Sequence, residues 1–250
     1  MASKSRCHWC GGPFIRIGQH YWCADSPSCR ERQSFHAIGA QSSTGEWRNI
    51  YIPLPMQVEF DSAPVRYLLG GGAAGVSKSH MARWGLYRRA IFIPEFEALI
   101  LRNTWNELEK HHLRLMQRDE KVLQSIGINA FFSKTDREFR ITHPDGRVST
   151  IEGGHMENAE DVKKYLSRER DAIVADEGTN FQPVPLLELS TRARSTKPEV
   201  EAFARRYMYP HLGPADDIPG GGAVFWILSN PGGPSSTMIR ELFIEHEPSW

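Results

Sequence analysis

The sequence predicts an α/β fold in which a mostly parallel sheet is covered by helices on both faces. Three observations lead to this prediction. An apolar segment at 65–69 runs into a glycine-rich loop and then into a helix-forming segment. A second apolar segment, 171–176, ends on consecutive acidic residues. Short apolar segments alternate with helix-like segments as far as residue 228, which is typical of parallel sheets buried on both sides.

The elements of the first half follow from local composition. Two prolines within 51–60 favour an extended lead-in, because proline fixes φ and has no backbone donor. The strand 65–69 precedes the glycine-rich loop, and a helix is expected over 79–91. Segment 98–102 is a short apolar strand. Residues 106–124 carry apolar side chains partly at helical spacing, which predicts a long helix.

The second half repeats the alternation. Segments 139–142 and 147–151 flank a Pro-Asp-Gly turn and predict a hairpin. Asn158 is a suitable helix cap. The remaining elements are expected as a helix over 159–166, the strand 171–176, helices over 184–194 and 198–209, the strand 223–228 and a closing helix.

The glycine-rich loop has the composition of a phosphate-binding loop. Backbone N–H groups of such a loop wrap the phosphates, and the following helix presents its positive dipole end to them. Lys78 would reach the β- and γ-phosphates of ATP, and the Ser79 hydroxyl would ligate Mg²⁺. The predicted nucleotide-binding residues are Gly72, Ala73, Ala74, Gly75, Val76, Ser77, Lys78 and Ser79.

The loop departs from the usual pattern at one position. G-x-x-x-x-G-K-[ST] begins at Gly72 and requires glycine where this chain has Ser77. A side chain there restricts a loop that must approach phosphate closely. Because serine is small, we expect ATP binding to survive, with an effect on the rate of turnover.

Asp176 and Glu177 supply the second half of the predicted site. Asp176 can hold Mg²⁺, and Glu177 can orient and deprotonate the attacking water. A glycine-rich loop alone can be an ordinary turn, and an Asp-Glu pair alone can be a solvated strand end. Their joint occurrence in the right order, about 100 residues apart, favours a nucleotide site.

The overall composition limits the interactions that are expected with DNA and with membranes. The 250-residue chain has a formal net charge of zero, so any DNA contact must come from local patches. The first 50 residues contain six Lys and Arg against three acidic residues. The N-terminus lacks an apolar signal core, and no apolar stretch approaches membrane-spanning length. We therefore expect a cytoplasmic protein without membrane contact.

The four cysteines are confined to the first 29 residues, which in a reducing compartment favours a metal over disulfides. The predicted Zn²⁺ ligands are Cys7, Cys10, Cys23 and Cys29. The five residues within the second pair are a wide spacing, so His8, His20 and His36 are alternative ligands, and disulfides remain a second alternative. The expected organisation is a zinc-binding module over 1–40, a polar linker over 41–50 and a main domain over 51–250.

The ordered segments resemble the N-terminal ATPase domain of a tailed-phage terminase large subunit. The resemblance spans roughly residues 51–245. The matching pieces are residues 55–60, 71–79, 99–108, the pair 176–177 and Ser-Asn-Pro-Gly-Gly at 229–233. It implies a P-loop NTPase of the ASCE type, with a three-layer αβα arrangement, preceded here by the small zinc-binding module.

The resemblance also implies residue roles. Gln57 would recognise adenine, since an amide can donate and accept on one base edge. Asn230 would sense the γ-phosphate, next to the catalytic residues Lys78 and Glu177. Relatives often carry an arginine inside the phosphate loop, where this chain has alanines. The alternative candidates for that arginine are Arg102, Arg168, Arg170, Arg192 and Arg194.

The implied activity is ATP-driven translocation of double-stranded DNA into a procapsid. The implied partners are a portal protein, a small terminase subunit and further copies in a ring, with the protein in the host cytoplasm and transiently at the portal. A nuclease domain, which full-length large subunits carry after the ATPase domain, is expected to be absent from this chain. The alternatives are a helicase-like P-loop ATPase and a non-hydrolysing, zinc-bearing nucleotide-binding adaptor.

Overall fold

The computed structural model describes residues 14–17, 20–23, 27–41, 46–71 and 77–245. Its N-terminal part begins with an antiparallel hairpin of β1 (Phe14–Ile17) and β2 (His20–Cys23). Helix α1 (Pro27–Phe35) follows. A second antiparallel hairpin pairs β3 (Ile38–Gln41) with β4 (Trp47–Tyr51).

A seven-stranded sheet forms the centre of the molecule. Its strands are β5 (Tyr67–Gly70), β6 (Glu97–Arg102), β7 (Asn129–Ser133), β8 (Glu138–Thr142), β9 (Val148–His155), β10 (Ala172–Asp176) and β11 (Val224–Leu228). Their order is β5-β11-β10-β6-β9-β8-β7. The first five strands in this order are parallel to one another, whereas β8 pairs antiparallel with both β9 and β7. The predicted mostly parallel sheet is therefore confirmed.

The helices cover both faces of this sheet. They are α2 (Pro55–Asp61), α3 (Lys78–Phe92), α4 (Trp105–Leu108), α5 (Arg114–Gln124), α6 (Pro183–Ser190), α7 (Pro198–Tyr207) and α8 (Ser236–Arg240). A π-helical stretch, Glu109–Leu113, joins α4 to α5, and another, Glu241–Glu245, extends α8. No helix within the described ranges is both long enough and apolar enough to cross a membrane.

Two buried clusters, one on each face, explain why the layers form. Ala98 and Ile100 of β6 belong to the cluster that includes residues of α3, α5 and α7. The alternate residues Leu99 and Leu101 belong to the other cluster, which includes residues of α6 and α8's Ile239. Because side chains along a strand point to opposite faces, a continuous apolar strand must be covered twice. The predicted three-layer arrangement is thus confirmed.

Two sequence-based assignments near the N-terminus need correction. Residues 47–50, expected within a linker, form most of β4, and Tyr51 and Ile38 of this hairpin enter the main core cluster. Residues 55–61 form α2 rather than an extended lead-in, because Pro55 occupies the first helical turn, where its missing N–H costs no hydrogen bond. The part of the chain that follows the cysteines therefore packs directly on the main domain.

The second half of the chain mostly follows the expected pattern. The hairpin of β8 and β9 turns at Pro144–Gly146, as predicted. Strand β9 also pairs in parallel with β6, and the edge strand β7 was not predicted at all. Residues 159–164 form a 3₁₀ helix with Asn158 at its N-cap, within the range 159–166 where a helix was expected.

Candidate nucleotide-binding site

The site lies where the parallel strands end. Strand β11 lies between β5 and β10, so that Leu228 is paired with both Gly70 and Asp176. The residues that follow these strands therefore meet at one edge of the sheet. Helix α3 begins at the same edge with Lys78, so its N-terminal dipole end faces this region.

One side chain connects Lys78 with Glu177. The Lys78 Nζ atom donates to Asn230 Oδ1 at 2.8 Å. The Asn230 Nδ2 atom donates in turn to Glu177 Oε1 at 3.1 Å and to Oε2 at 3.2 Å. The amide thus fixes the ammonium and the carboxylate relative to each other. Three residues predicted from separate motifs form one hydrogen-bonded chain.

Asp176 is held by two further side chains that the motifs do not include. Arg102 approaches Asp176 Oδ2 through Nε at 2.9 Å and through a terminal nitrogen at 2.7 Å. His112 Nε2 lies 2.8 Å from the same oxygen. The terminal nitrogen of Arg102 also donates to Ser79 Oγ at 3.3 Å. Arg102 therefore bridges the two side chains predicted to bind Mg²⁺.

The environment keeps Asp176 charged. Burial raises the pKa of this carboxyl group, but the hydrogen bond and charge of His112, the charge of Arg102 and the Ser79 hydroxyl together hold the pKa below its usual range. Burial lowers the pKa of His112. The carboxylate is therefore a ready acceptor for a cation, which is the property that a metal ligand needs.

Two residues of the site have left-handed backbone conformations. Ser77 has φ 58° and ψ 32°, and Glu177 has φ 57° and ψ 49°. Ser77 occupies the position where the loop pattern requires glycine, the residue that adopts this conformation without strain. Strain of this kind is concentrated at functional sites. Ser77 thus departs from the motif in residue type, while its backbone has the left-handed conformation that glycine adopts without strain.

The segment after β11 is hydrogen-bonded to the segment after β10. The Ser229 hydroxyl donates to Thr179 Oγ1 at 2.9 Å, and the Thr179 hydroxyl donates to the Asn230 carbonyl at 3.0 Å. Gly178 passes close to β11, since a Cβ atom there would lie 2.3 Å from Ile227 Cγ2. These contacts determine where Glu177 and Asn230 lie.

Gln57 has a structural contact in this state. It is buried in the first turns of α2, and its Oε1 accepts a hydrogen bond from the Leu54 backbone N–H at 2.9 Å. It lines a small cavity together with Met81, which lies one turn beyond Lys78 on α3. Gln57 is therefore near the expected nucleotide region, and its role toward adenine stays a prediction.

The candidate arginines fall into two groups. Arg102 ends β6 at the phosphate edge. Arg168 and Arg170 precede the first residue of β10, and Arg170 pairs with Glu152. The Arg192 carbonyl accepts the Arg170 backbone N–H, and Arg194 pairs with Glu169. These four lie at the opposite end of the sheet, so of the five candidates Arg102 alone contacts the site within its own chain.

Several predicted residues lie outside the described part. Gly72, Ala73, Ala74, Gly75 and Val76 fall there, as do Cys7 and Cys10. Only the backbone of Cys23 is described, at the end of β2, and Cys29 is a buried residue of α1. Among the described side chains, no group of three or more His, Cys, Asp and Glu residues is arranged to hold a metal ion. The zinc site therefore stays a prediction.

Sequence reasoning missed His112 and Thr179. His112 belongs to the π-helical stretch, and a histidine on an apolar helix face gives no signal of a contact 64 residues along the chain. Thr179 follows the acidic pair closely, but its partner Ser229 is 50 residues away. Only the strand order brings these residues together.

Comparison with solved structures shows that phage large terminases have a similar fold. The large terminase from a thermophilic bacteriophage superposes with a TM-score of 0.52 at 13% identity, over 72% of this chain and 37% of that chain. The HK97 bacteriophage large terminase gives 0.52 at 11% identity, over 87% of this chain and 41% of that chain. No family model and no curated protein matches the sequence. The predicted resemblance is thus confirmed for the fold, and this chain spans less than half of either terminase.

Proposed function

We propose that this chain is an ATP-hydrolysing motor domain of the terminase large-subunit type, which translocates double-stranded DNA into a procapsid. The observation that carries the proposal is the chain of hydrogen bonds from Lys78 through Asn230 to Glu177, adjacent to the pair of Ser79 and Asp176. Nucleotide binding alone would need only the Lys78 ammonium group and the N-terminus of α3. A carboxylate oriented beside them serves hydrolysis.

The proposed roles follow from side-chain chemistry. Lys78, at the start of α3, would hold the β- and γ-phosphates together with the helix dipole and the N–H groups of residues 72–77. Ser79 and Asp176 would hold Mg²⁺, which neutralises charge on the phosphate oxygens when it is bound. The buried and ionised carboxyl group of Asp176 fits that role.

Glu177 is the proposed general base. It is half-buried, and its carboxylate accepts two hydrogen bonds from Asn230 while leaving further lone pairs for a water molecule. Asn230 would report the state of the γ-phosphate, because the same amide also contacts Lys78. Gln57 is the proposed adenine contact.

The partners are proposed from the fold likeness and from charge. Double-stranded DNA is the proposed substrate, bound through local basic patches, so that affinity should fall steeply as salt rises. Portal protein, small terminase subunit and a ring of further copies are the proposed assembly partners, in the host cytoplasm.

A zinc module is proposed at the N-terminus. Cys7, Cys10, Cys23 and Cys29 would hold one Zn²⁺ as a closed structural site. The position of Cys23 at the end of a hairpin and of buried Cys29 on the following helix supports this arrangement.

Phosphate release and nucleotide binding, measured side by side, test the proposed activity. Lys78→Ala should weaken binding of a fluorescent ATP analogue, because the charge opposite the phosphates is lost. Glu177→Gln should retain binding and lose turnover, because an amide is not a base. Lys134→Ala, an exposed lysine on the β7–β8 turn, is the matched control.

The outcomes separate the alternatives. Phosphate release that rises with duplex DNA supports the motor. Nucleotide binding without turnover, with or without DNA, contradicts it and favours a non-hydrolysing adaptor. Turnover by Glu177→Gln at the parent rate means that the assignment of the base is wrong.

A further inference from the structure

The Arg102 guanidinium lies between the side chains of Ser79 and Asp176. Its terminal nitrogen lies 3.3 Å from Ser79 Oγ and 2.7 Å from Asp176 Oδ2. Its Nε donates to the same carboxylate oxygen at 2.9 Å. Both charged side chains are nearly inaccessible, with 7% of the arginine side chain and 1% of the aspartate side chain exposed. The guanidinium is therefore a buried counter-charge shared by a hydroxyl and a carboxylate.

The same hydroxyl and carboxylate are the proposed ligands of the divalent cation. The Arg102 guanidinium and a divalent cation would compete for this buried pair of ligands, because like charges at this range repel strongly. We propose that Arg102 is a positioning residue that fills the place of the divalent cation, keeping Ser79 and Asp176 together until the metal displaces it. This inference rests on the proposed function, since it uses the metal ligands assigned there.

His112 has a different relation to the same carboxylate. It approaches Asp176 from the π-helical stretch, and its side chain is completely buried. His112 contacts only one of the two proposed metal ligands, Asp176, whereas Arg102 contacts both Ser79 and Asp176.

Removing a buried counter-charge normally destabilises a protein, because the carboxylate is left unpaired. A purely structural role for Arg102 thus predicts loss of stability alone. The role proposed here predicts in addition that divalent cations bind more tightly when the positive charge is removed. Loss of stability and gain of divalent-cation affinity are measured separately, so the structural role and the proposed role can be distinguished.

The experiment titrates the nucleotide-free, full-length chain with Mn²⁺ and measures free Mn²⁺ by electron paramagnetic resonance. Arg102→Gln keeps a hydrogen-bond donor and removes the charge, so its Mn²⁺ affinity should rise about tenfold, the scale expected for one unit charge at close range. Arg102→Lys keeps the charge and should remain within about threefold of the parent. Arg102→Ser removes the charge with a smaller side chain and serves if the glutamine variant does not fold.

Arg170→Gln is the matched control. Arg170 is also buried and paired with a carboxylate, Glu152, but at the opposite end of the sheet. It should lose stability without a change in Mn²⁺ affinity. Unchanged or weaker Mn²⁺ binding by the charge-removing variants overturns the inference.

ATP binding by the parent protein, measured in the same preparations, distinguishes failure of this inference from failure of the proposed function. If the parent binds ATP and removal of the Arg102 charge leaves Mn²⁺ affinity unchanged, the inference is wrong and the proposed function stands. If the parent binds no ATP with either metal, the proposed function itself fails.

Discussion

Lys78 and Asn230 are hydrogen-bonded at 2.8 Å although 152 residues separate them in the chain. The contact exists because β11, which ends two residues before Asn230, is inserted beside β5, which precedes the phosphate loop. The same insertion separates β5 from β10, the strand that ends on Asp176. A contact between the cationic and the acidic halves of the site therefore needs a third element, and Asn230 is that element.

Asn230→Ala should reduce turnover far more than nucleotide binding. The amide orients Glu177 and Lys78 together, and loss of one oriented hydrogen-bonding group at a reacting centre typically costs about 100-fold or more in kcat. The measurement is kcat for phosphate release beside the affinity for a fluorescent ATP analogue. Asn129→Ala, an exposed residue of the far edge strand β7, is the control. Equal losses in binding and kcat would contradict the coupling role.

Ser77→Gly should relieve backbone strain at the phosphate loop. A non-glycine residue in the left-handed conformation costs about 1–2 kcal/mol, from which the extra unfolded-state freedom of glycine must be subtracted. We expect a net gain of about 0.5–1 kcal/mol in unfolding free energy and undiminished ATPase activity. Glu95→Gly, at another exposed left-handed residue with φ 58°, is the control for the stability gain. A loss of stability in the Ser77 variant would show that its side chain makes a favourable contact.

Asp61→Asn should destabilise the packing of α2 against α3 and against His36. Asp61 ends α2, accepts from Arg88 at 2.7 Å and from Arg89, and lies 3.6 Å from His36 Nδ1. Removing the charge leaves two buried guanidinium groups uncompensated, at a cost of about 3–5 kcal/mol. Urea unfolding measures the change. Asp136→Asn, in an exposed ion pair with Arg140, should change stability by less than about 1 kcal/mol.

The stabilising contribution of Asp61 should disappear in acid. Burial raises the pKa of Asp61, but Arg89, His36 and Arg88 outweigh it and hold the pKa below the usual range. A depressed folded-state pKa means that the contribution is complete above the unfolded pKa, about 4, and declines as pH falls below it. The stability difference between the parent and Asp61→Asn should therefore be constant between pH 6 and pH 8, within about 0.5 kcal/mol, and shrink below about pH 4. A difference that persists unchanged in acid would mean that the ion pairs are not its source.

Purified protein should contain one Zn²⁺ per chain by elemental analysis. Cys29→Ser should lower the zinc content, because a neutral hydroxyl replaces a thiolate ligand. Chelation should unfold the hairpin of β1 and β2 while sparing the seven-stranded sheet, which contains none of the predicted cysteine ligands. Zinc-free protein from zinc-replete expression would contradict the site and favour the disulfide alternative.

Much of the fold could be predicted because its signals are local. The strand before the glycine-rich loop, the helix that begins at Lys78 and the apolar strand before Asp176 were predicted within about two residues, since side-chain period is read directly from short segments. Strand β7, by contrast, was not predicted. Its residues are half exposed on an edge hairpin, so it lacks the apolar run that marks a central strand.

Local sequence alone was enough to identify Lys78, Ser79, Asp176 and Glu177 as a candidate site, because each belongs to a short motif whose chemistry does not depend on distant residues. The partners of these side chains depended on tertiary structure. Arg102, His112 and Asn230 reach the site from three different elements, and the helix cap made by Gln57 depends on α2 forming where extended chain was expected. The reason is that strand order, and not position in the chain, decides which strand ends meet at one edge of a parallel sheet, and strand order is set by the burial of both faces at once.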